Sequence, residues 1–354
     1  MQKGGRLTQR DIARLAGVSQ ATVSLALNRR GDSSARIPEE TRRRVLQVIL
    51  DTGYVADPVA RQLAGRRNQL LGVFTYEMVF PTAQADFYMP FMLGIEAAAE
   101  RLGLDLLLFT SAPVVEGRRR IFHENNRLRL ADGCILLGRT LDRDELARLV
   151  ADRYPFVTIG RRDDAGGPVP YVGADYATAT VALVRRAVAL GHRRLAYVGF
   201  GRGAESSDDR WAGFSRAVAE AGLQAMHEPS QGRDPVELLE ALRAAGVTAA
   251  LVEDLADAAA LEQAGRQRGL SIPRDLSLAA LGNPTRPTAS DDAFTSFRIP
   301  REEMGAQAVE VLTLVMDGEP EGRQRLLPCE PVEGDTLGPA PGGRSTGKPG
   351  GPRS

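Results

Sequence analysis

Within DIARLAGVSQATVSLALN (residues 11–28), Gln20, Ala21, Ser24 and Leu25 fall on the outer side of a short helical pattern. An amide, two apolar groups and a hydroxyl contain no nucleophile paired with a base and no metal-ligand set. Their chemistry is hydrogen bonding and close contact. Small outward residues let a helix backbone approach base edges in a major groove. The rest of the chain offers little acid–base or nucleophilic chemistry. It has three histidines, His123, His192 and His227, and two cysteines, Cys134 and Cys329. No serine sits in a G-x-S-x-G elbow between a strand and a helix, and H-E-x-x-H, P-loop and C-x-x-C spacings do not occur. No enzyme, no metal and no other cofactor is expected, and both thiols read as buried and reduced.

The elements that must carry the outward set are two crossing helices. Thr8 and Asp11 are spaced as a capping box, with Asp in place of the usual Glu or Gln. Ile12, Ala13, Leu15 and Ala16 form the inner face of the first helix. Gly17 supplies the left-handed turn out of it. Val18 is an apolar peg, and Ser19 caps the second helix. Val23, Ala26 and Leu27 face inward. A third helix starts near Pro38, with Val45, Val48 and Ile49 against the first two. Together these predict a helix-turn-helix. The charge agrees: residues 1–67 hold thirteen Lys or Arg against six acids, a net of +7, which leaves −7 on the remainder of a chain that is neutral overall. A basic head on an acidic body is the footprint of a nucleic-acid-binding segment.

From Leu70 onward, short apolar runs alternate with amphipathic helices. QLLGVFTYE, LDLLLFTS, DGCILLG and YPFVTIG read as strands around the helix FYMPFMLGIEAAAERLG, and the cycle repeats through RRLAYVGF, DRWAGFSRAVAEAGL, VTAALVED and LSLAALG. Buried parallel strands between helices define an open α/β sheet. No run of about 18 apolar residues is present, so no membrane span is expected. The N-terminus lacks an apolar signal-peptide core, so a cytoplasmic protein is expected.

LTQRDIARLAGVSQATVSLALN is similar to the headpiece of the lactose-repressor (LacI/GalR) family of bacterial transcription regulators. LGHRRLAYVG, RWAGFSRAVAEAGL and GLSIPRDLSLAALG follow the same family's pattern, and the resemblance runs from residue 7 to about 336. It implies a small all-α helix-turn-helix headpiece plus an α/β periplasmic-binding-protein-like core of two doubly wound subdomains. The expected boundaries are 1–53 for the headpiece, 54–69 for a hinge helix and linker, and 70–336 for the core. Within the core, one lobe takes about 70–160 with 290–330 and the other about 161–290. Residues 337–354 are Gly/Pro/Ser-rich and expected to be disordered. The implied function is sequence-specific binding of double-stranded DNA at a palindromic operator, most often as a repressor. A small-molecule effector, a sugar or related metabolite, controls that affinity, and the chain works as a homodimer. A solute-binding protein shares the core fold but has no use for the basic head.

The resemblance also assigns residues. Gln20, Ala21 and Leu25 stand where the family chooses bases: Gln can pair with adenine, Ala and Leu can touch a thymine methyl. Thr8, Ser19, Thr22, Ser24, Asn28 and Arg29 are placed for phosphates. In the hinge, Pro58 suits a first helical turn and Ala60 lets two hinge helices touch. Arg61 joins them, and Leu63 is the wedge for a central base step. Arg210 falls at the family's effector-binding arginine, with Ser206 one turn before it. Asp254 takes the place of a usual asparagine. Tyr76 and Phe87 are expected to pack on a ligand ring. Gly160 and Gly282 stand where acids are frequent, with Asn283 next to Gly282.

Overall fold

A computed structural model describes residues 7–27, 37–55, 67–77, 85–115, 117–124, 126–284 and 293–341. Asn28, Arg29, Pro58, Ala60, Arg61 and Leu63 lie outside the described residues. The chain divides into two compact units, Met1–Asn68 and Gln69–Ser354.

In the first unit, α1 (Gln9–Ala16), α2 (Gln20–Leu27) and α3 (Glu39–Thr52) enclose Ile12, Ala13, Ala16, Val23, Ala26 and Val45. The capping box forms: the Thr8 amide donates to Asp11 Oδ2 at 3.0 Å, and the Asp11 amide donates to Thr8 Oγ1 at 3.4 Å. The Thr8 hydroxyl, donating to Asp11 Oδ2 at 2.7 Å, and then the Thr8 amide hold the Asp11 carboxyl below the usual carboxylate range. Gly17 turns out of α1 with φ 65°. Two expectations fail here. Leu15 is 54% exposed, because at 100° per residue it lies well off the stripe set by Ile12, Ala13 and Ala16. Ser24 is only 8% exposed. Helix α2 packs against both α1 and α3, which widens its covered arc beyond Val23 and Ala26 to include Ser24.

In the second unit, the first lobe is built on a parallel sheet. Its strands are β1 (Leu70–Thr75), β2 (Asp105–Phe109), β5 (Gly133–Leu137), β6 (Phe156–Ile159), β7 (Tyr171–Ala174) and β13 (Gln324–Leu327), in the order β13-β7-β6-β5-β1-β2. A short hairpin, β3 (Val114–Val115) with β4 (Arg118–Arg119), lies beyond β2. The helices of this lobe are α4 (Ala85–Leu102), α5 (Arg143–Ala151) and α10 (Arg301–Asp317). The second lobe carries β8 (Leu195–Val198), β9 (Ala225–Glu228), β10 (Ala249–Val252) and β11 (Ser277–Ala280) in the parallel order β11-β10-β8-β9. Around it stand α6 (Tyr176–Ala189), α7 (Glu205–Glu220), α8 (Pro235–Ala244) and α9 (Leu255–Gln267). Strand β12 (Ser296–Arg298) pairs antiparallel with β14 (Glu330–Val332).

The lobe boundary differs from expectation. Residues 161–174 do not belong to the second lobe, because β7 pairs with β6 and β13 in the first sheet. YVGA is short and carries a glycine, so its strand character comes from the two neighbours that flank it. The far end also differs. Leu337 is buried, the Gly338 amide donates to Ser277 Oγ at 3.2 Å, and the Ala340 amide donates to the Leu190 carbonyl at 2.9 Å. His192 is fully buried, with Nε2 donating to the Gly338 carbonyl at 2.9 Å and Nδ1 2.9 Å from the Thr248 hydroxyl. Burial pushes its pKa down. A Gly/Pro-rich composition hid one apolar anchor and its backbone bonds. Residues 342–354 lie outside the described residues.

Helices α4 and α10 cross backbone to backbone. A Cβ on Gly94 would stand 1.8 Å from the Glu302 carbonyl oxygen, and one on Gly305 would stand 2.2 Å from that of Phe91. Both helices begin at the cleft between the lobes, so this contact fixes where their first turns lie. Cys134 is completely buried, and burial pushes the Cys329 thiol up to about 12, so both are inert at neutral pH.

Candidate effector cleft and DNA-reading helix

The carboxyl ends of both sheets face one cavity of about 530 Å³. This is where an open α/β sheet presents ligand sites. Phe87, Ser206, Arg210, Asp254 and Asn283 line it, as expected. Tyr76 does not: it is 1% exposed and its hydroxyl donates to Glu145 Oε2 at 3.0 Å, inside the first lobe. Tyr76 directly follows β1, but its ring packs edge-on against Phe74, 5.1 Å between centroids, and not on a ligand.

Arg210, on α7, is held by three contacts. Its Nε donates to the Leu281 carbonyl and its Nη1 to the Ser206 carbonyl, each at 2.8 Å. Its guanidinium carbon lies 3.8 Å from the centre of the Tyr176 ring. Two carbonyls and a ring face fix its position without neutralising its charge. Asp254 caps α9, accepting from the Ala256 amide at 2.9 Å. Asn283 Oδ1 accepts from the Ile299 amide at 3.0 Å, tying the loop after β11 to the end of β12. Both residues therefore shape the wall as well as line it.

Four wall residues escaped the sequence reading. Glu253 Oε2 accepts from the Tyr197 hydroxyl and the Phe200 amide, each at 2.9 Å, while Oε1 accepts from the Ser207 hydroxyl. One carboxylate thus gathers the loop after β8 onto the end of β10. Arg162 is 5% exposed and donates to the Arg161 and Gly138 carbonyls and to Glu205. Burial lowers its pKa. Arg139 lies over Phe87 at 5.1 Å. Arg301 is 3% exposed, donates to the Pro284 and Asn283 carbonyls at 3.3 and 3.4 Å, and lies 5.6 Å from the Phe87 ring centre. Burial lowers its pKa, with the cations Arg210 and Arg139 adding to the shift. Arg139, Arg162 and Glu253 follow strands at their carboxyl ends, a signal available in the sequence. Arg301 opens a helix on a returning segment and carries no such signal.

On the headpiece, Gln20 and Ala21 are exposed at the start of α2, and Leu25 is half-buried. The hydroxyls of Thr8 and Ser19 are engaged in capping: Ser19 Oγ accepts from the Thr22 amide at 3.1 Å and lies 2.9 Å from the Thr22 hydroxyl. Ser24 is turned into the core and not outward.

A helix-turn-helix unit and a separate two-lobed core with a central cleft define a DNA-binding regulator with a ligand-binding body. Residues 8–57 match the bacterial regulatory proteins of the lacI family, and residues 184–337 match the periplasmic binding protein-like domain. The chain thus joins a DNA-binding domain of the lacI family to a periplasmic binding protein-like domain. Catabolite control protein A of Priestia megaterium is 28% identical over 320 residues, covering 87% of this chain and 92% of that protein. The regulator CelR of Thermobifida fusca is 28% identical over 345 residues, covering 92% and 97%. The fold is similar to that of the lac repressor dimer bound to operator and the anti-inducer ONPF, with TM-score 0.69 and 22% identity over 94% of this chain and 100% of that one. It is also similar to a CelR–cellobiose complex, with TM-score 0.60 and 24% identity over 94% and 100%. These relatives are transcriptional regulators, which are not enzymes. Among the described residues no helix is long and apolar enough to cross a membrane.

Proposed function

We propose that this chain is a cytoplasmic homodimeric repressor whose affinity for a palindromic operator is set by a small molecule in the cleft. The observation that carries the reading is the presence, in one chain, of exposed Gln20 and Ala21 at the start of α2 and a 530 Å³ cavity between two lobes. A ligand that binds one arrangement of the lobes better than another shifts the population of the DNA-competent state. Gln20, Ala21 and Leu25 read bases, and residues 58–63, with Leu63 as wedge, pair across the dimer in the minor groove. Met89 and Leu93, one turn apart on α4, keep apolar side chains 46% and 49% exposed, which suits contact with a second copy.

The test is selection of bound sequences from a random DNA pool by the full-length protein, followed by fluorescence anisotropy on the winner. Enrichment of an imperfect palindrome is expected, with affinity changed by a metabolite that also binds the isolated core (residues 69–354). Leu63→Ser should abolish operator binding while leaving ligand affinity intact. Retention of random sequences only would refute the reading.

A further inference from the structure

Arg210 and Arg301 are among the least exposed side chains of the cleft wall, at 7% and 3%. Buried charges in proteins are ordinarily paired, since leaving water is costly without a counter-charge. Neither of these guanidinium groups forms an ion pair: Arg210 donates to the Leu281 and Ser206 carbonyls, and Arg301 to the Pro284 and Asn283 carbonyls. Among the acids of the wall, Glu77, Glu253 and Asp254 have hydrogen-bond partners of their own, and the Asp254 charge also favours the charged form of Arg301 without forming an ion pair with it. Glu77 accepts from the Tyr88 hydroxyl and the Arg139 amide, Glu253 from Tyr197, Phe200 and Ser207, and Asp254 from the Ala256 amide. Buried Arg162 leaves its Nε without a partner. The backbone also keeps side chains away from these cations. Gly282 has φ 153°, and a Cβ there would stand 3.6 Å from Arg210 Nη2. Gly160 has φ 97°, and a Cβ there would stand 2.9 Å from Arg162 Nη1. Glycine at 282 leaves the Nη2 edge of Arg210 uncovered, whereas the terminal nitrogens of Arg162 are taken by the Arg161 and Gly138 carbonyls and Glu205.

We infer that the cleft takes a small organic anion, its carboxylate or phosphate held by the guanidinium groups of Arg210 and Arg301, in preference to a neutral sugar. Guanidinium forks suit such oxyanions, and a cavity that excludes water strengthens the attraction. The inference rests on the regulatory reading only in taking the cleft as the effector site.

Full-length protein is titrated with inorganic phosphate alone and with glucose, gluconate and glucose 6-phosphate, which share a carbon skeleton but differ in charge. Thermal shift and calorimetry are the readouts, at ionic strength matched with chloride. Phosphate is expected to raise Tm beyond chloride, and at least one charged sugar to bind at least tenfold more tightly than glucose. The carboxylate and phosphate arms separate the two sources of the anion. Arg301→Gln should weaken that binding at least tenfold, and Arg301→Lys, which keeps charge but not the fork, should weaken it less. If Arg301→Gln fails to fold, the wild-type and Arg301→Lys series decide. Tighter binding of glucose, anion binding indifferent to Arg301, or no response to any of the anions would overturn the inference. Operator affinity is measured in parallel. A neutral ligand that alters it sinks the anion inference and leaves the regulatory reading standing. An anion bound through Arg301 without effect on DNA does the reverse.

Discussion

The guanidinium carbon of Arg210 lies 3.8 Å from the centre of the Tyr176 ring, so the first residue of α6 is the platform for a cation on α7. Such a contact contributes about 0.5–2 kcal/mol. Tyr176→Phe keeps the ring and should leave urea stability within about 0.5 kcal/mol of wild type. Tyr176→Ala should lower it by about 2 kcal/mol, since packing is lost with the platform. Equal effects from both substitutions would assign the contribution to the hydroxyl.

Gly94 and Gly305 admit no side chain. Gly94→Ala forces a Cβ into the Glu302 carbonyl and should cost about 1–3 kcal/mol or more by denaturant unfolding, because backbone must move. Leu93→Ala, next to it and half-exposed, should stay within about 0.5 kcal/mol in the monomeric core. A neutral Gly94→Ala would mean that the two helices are free to slide.

Gln20→Ala should cost about 1–3 kcal/mol of operator affinity and relax preference at a single base pair, read by repeating the selection with the variant. An unchanged preference would remove Gln20 from base reading.

His192 is buried with both ring nitrogens bonded, and its pKa lies below the ordinary value. The unfolded chain therefore binds the proton first as pH falls. The stabilisation is complete above about pH 6.5 and is lost as pH drops through the lower folded value. Stability of wild type should decline below about pH 6.5 more steeply than that of His192→Gln. Parallel curves for the two proteins would show that the imidazole does not couple folding to protons.

The helix-turn-helix was legible because its signals are local: a cap at Thr8, a left-handed glycine at Gly17 and apolar spacing from Ile12 to Ala26. The alternating α/β pattern and the placing of Arg210, Ser206, Phe87, Asp254 and Asn283 on the cleft wall were legible too, from strand ends and motif order. What failed depends on distant neighbours. Ser24 is buried by two helices that close around it, and Tyr76 is drawn inward by Glu145, 69 residues on. Strand β7 is claimed by the first sheet through β13, which lies more than a hundred residues later. The Gly/Pro-rich end hid its bond to His192, 146 residues away. Arg301 went unnoticed because nothing local marks a buried cation at a helix start.

The contact between Gly94 and the Glu302 carbonyl is main chain on side-chain-less main chain. It owes nothing to the groups that the same two helices turn toward the cleft, among them Phe87, Phe91, Arg301 and Met304. Because that contact is made by main chain, a change of side chain toward the cleft does not by itself remove it. A cleft lined from two such helices can thus change the chemistry it offers a ligand while the frame that carries it is kept.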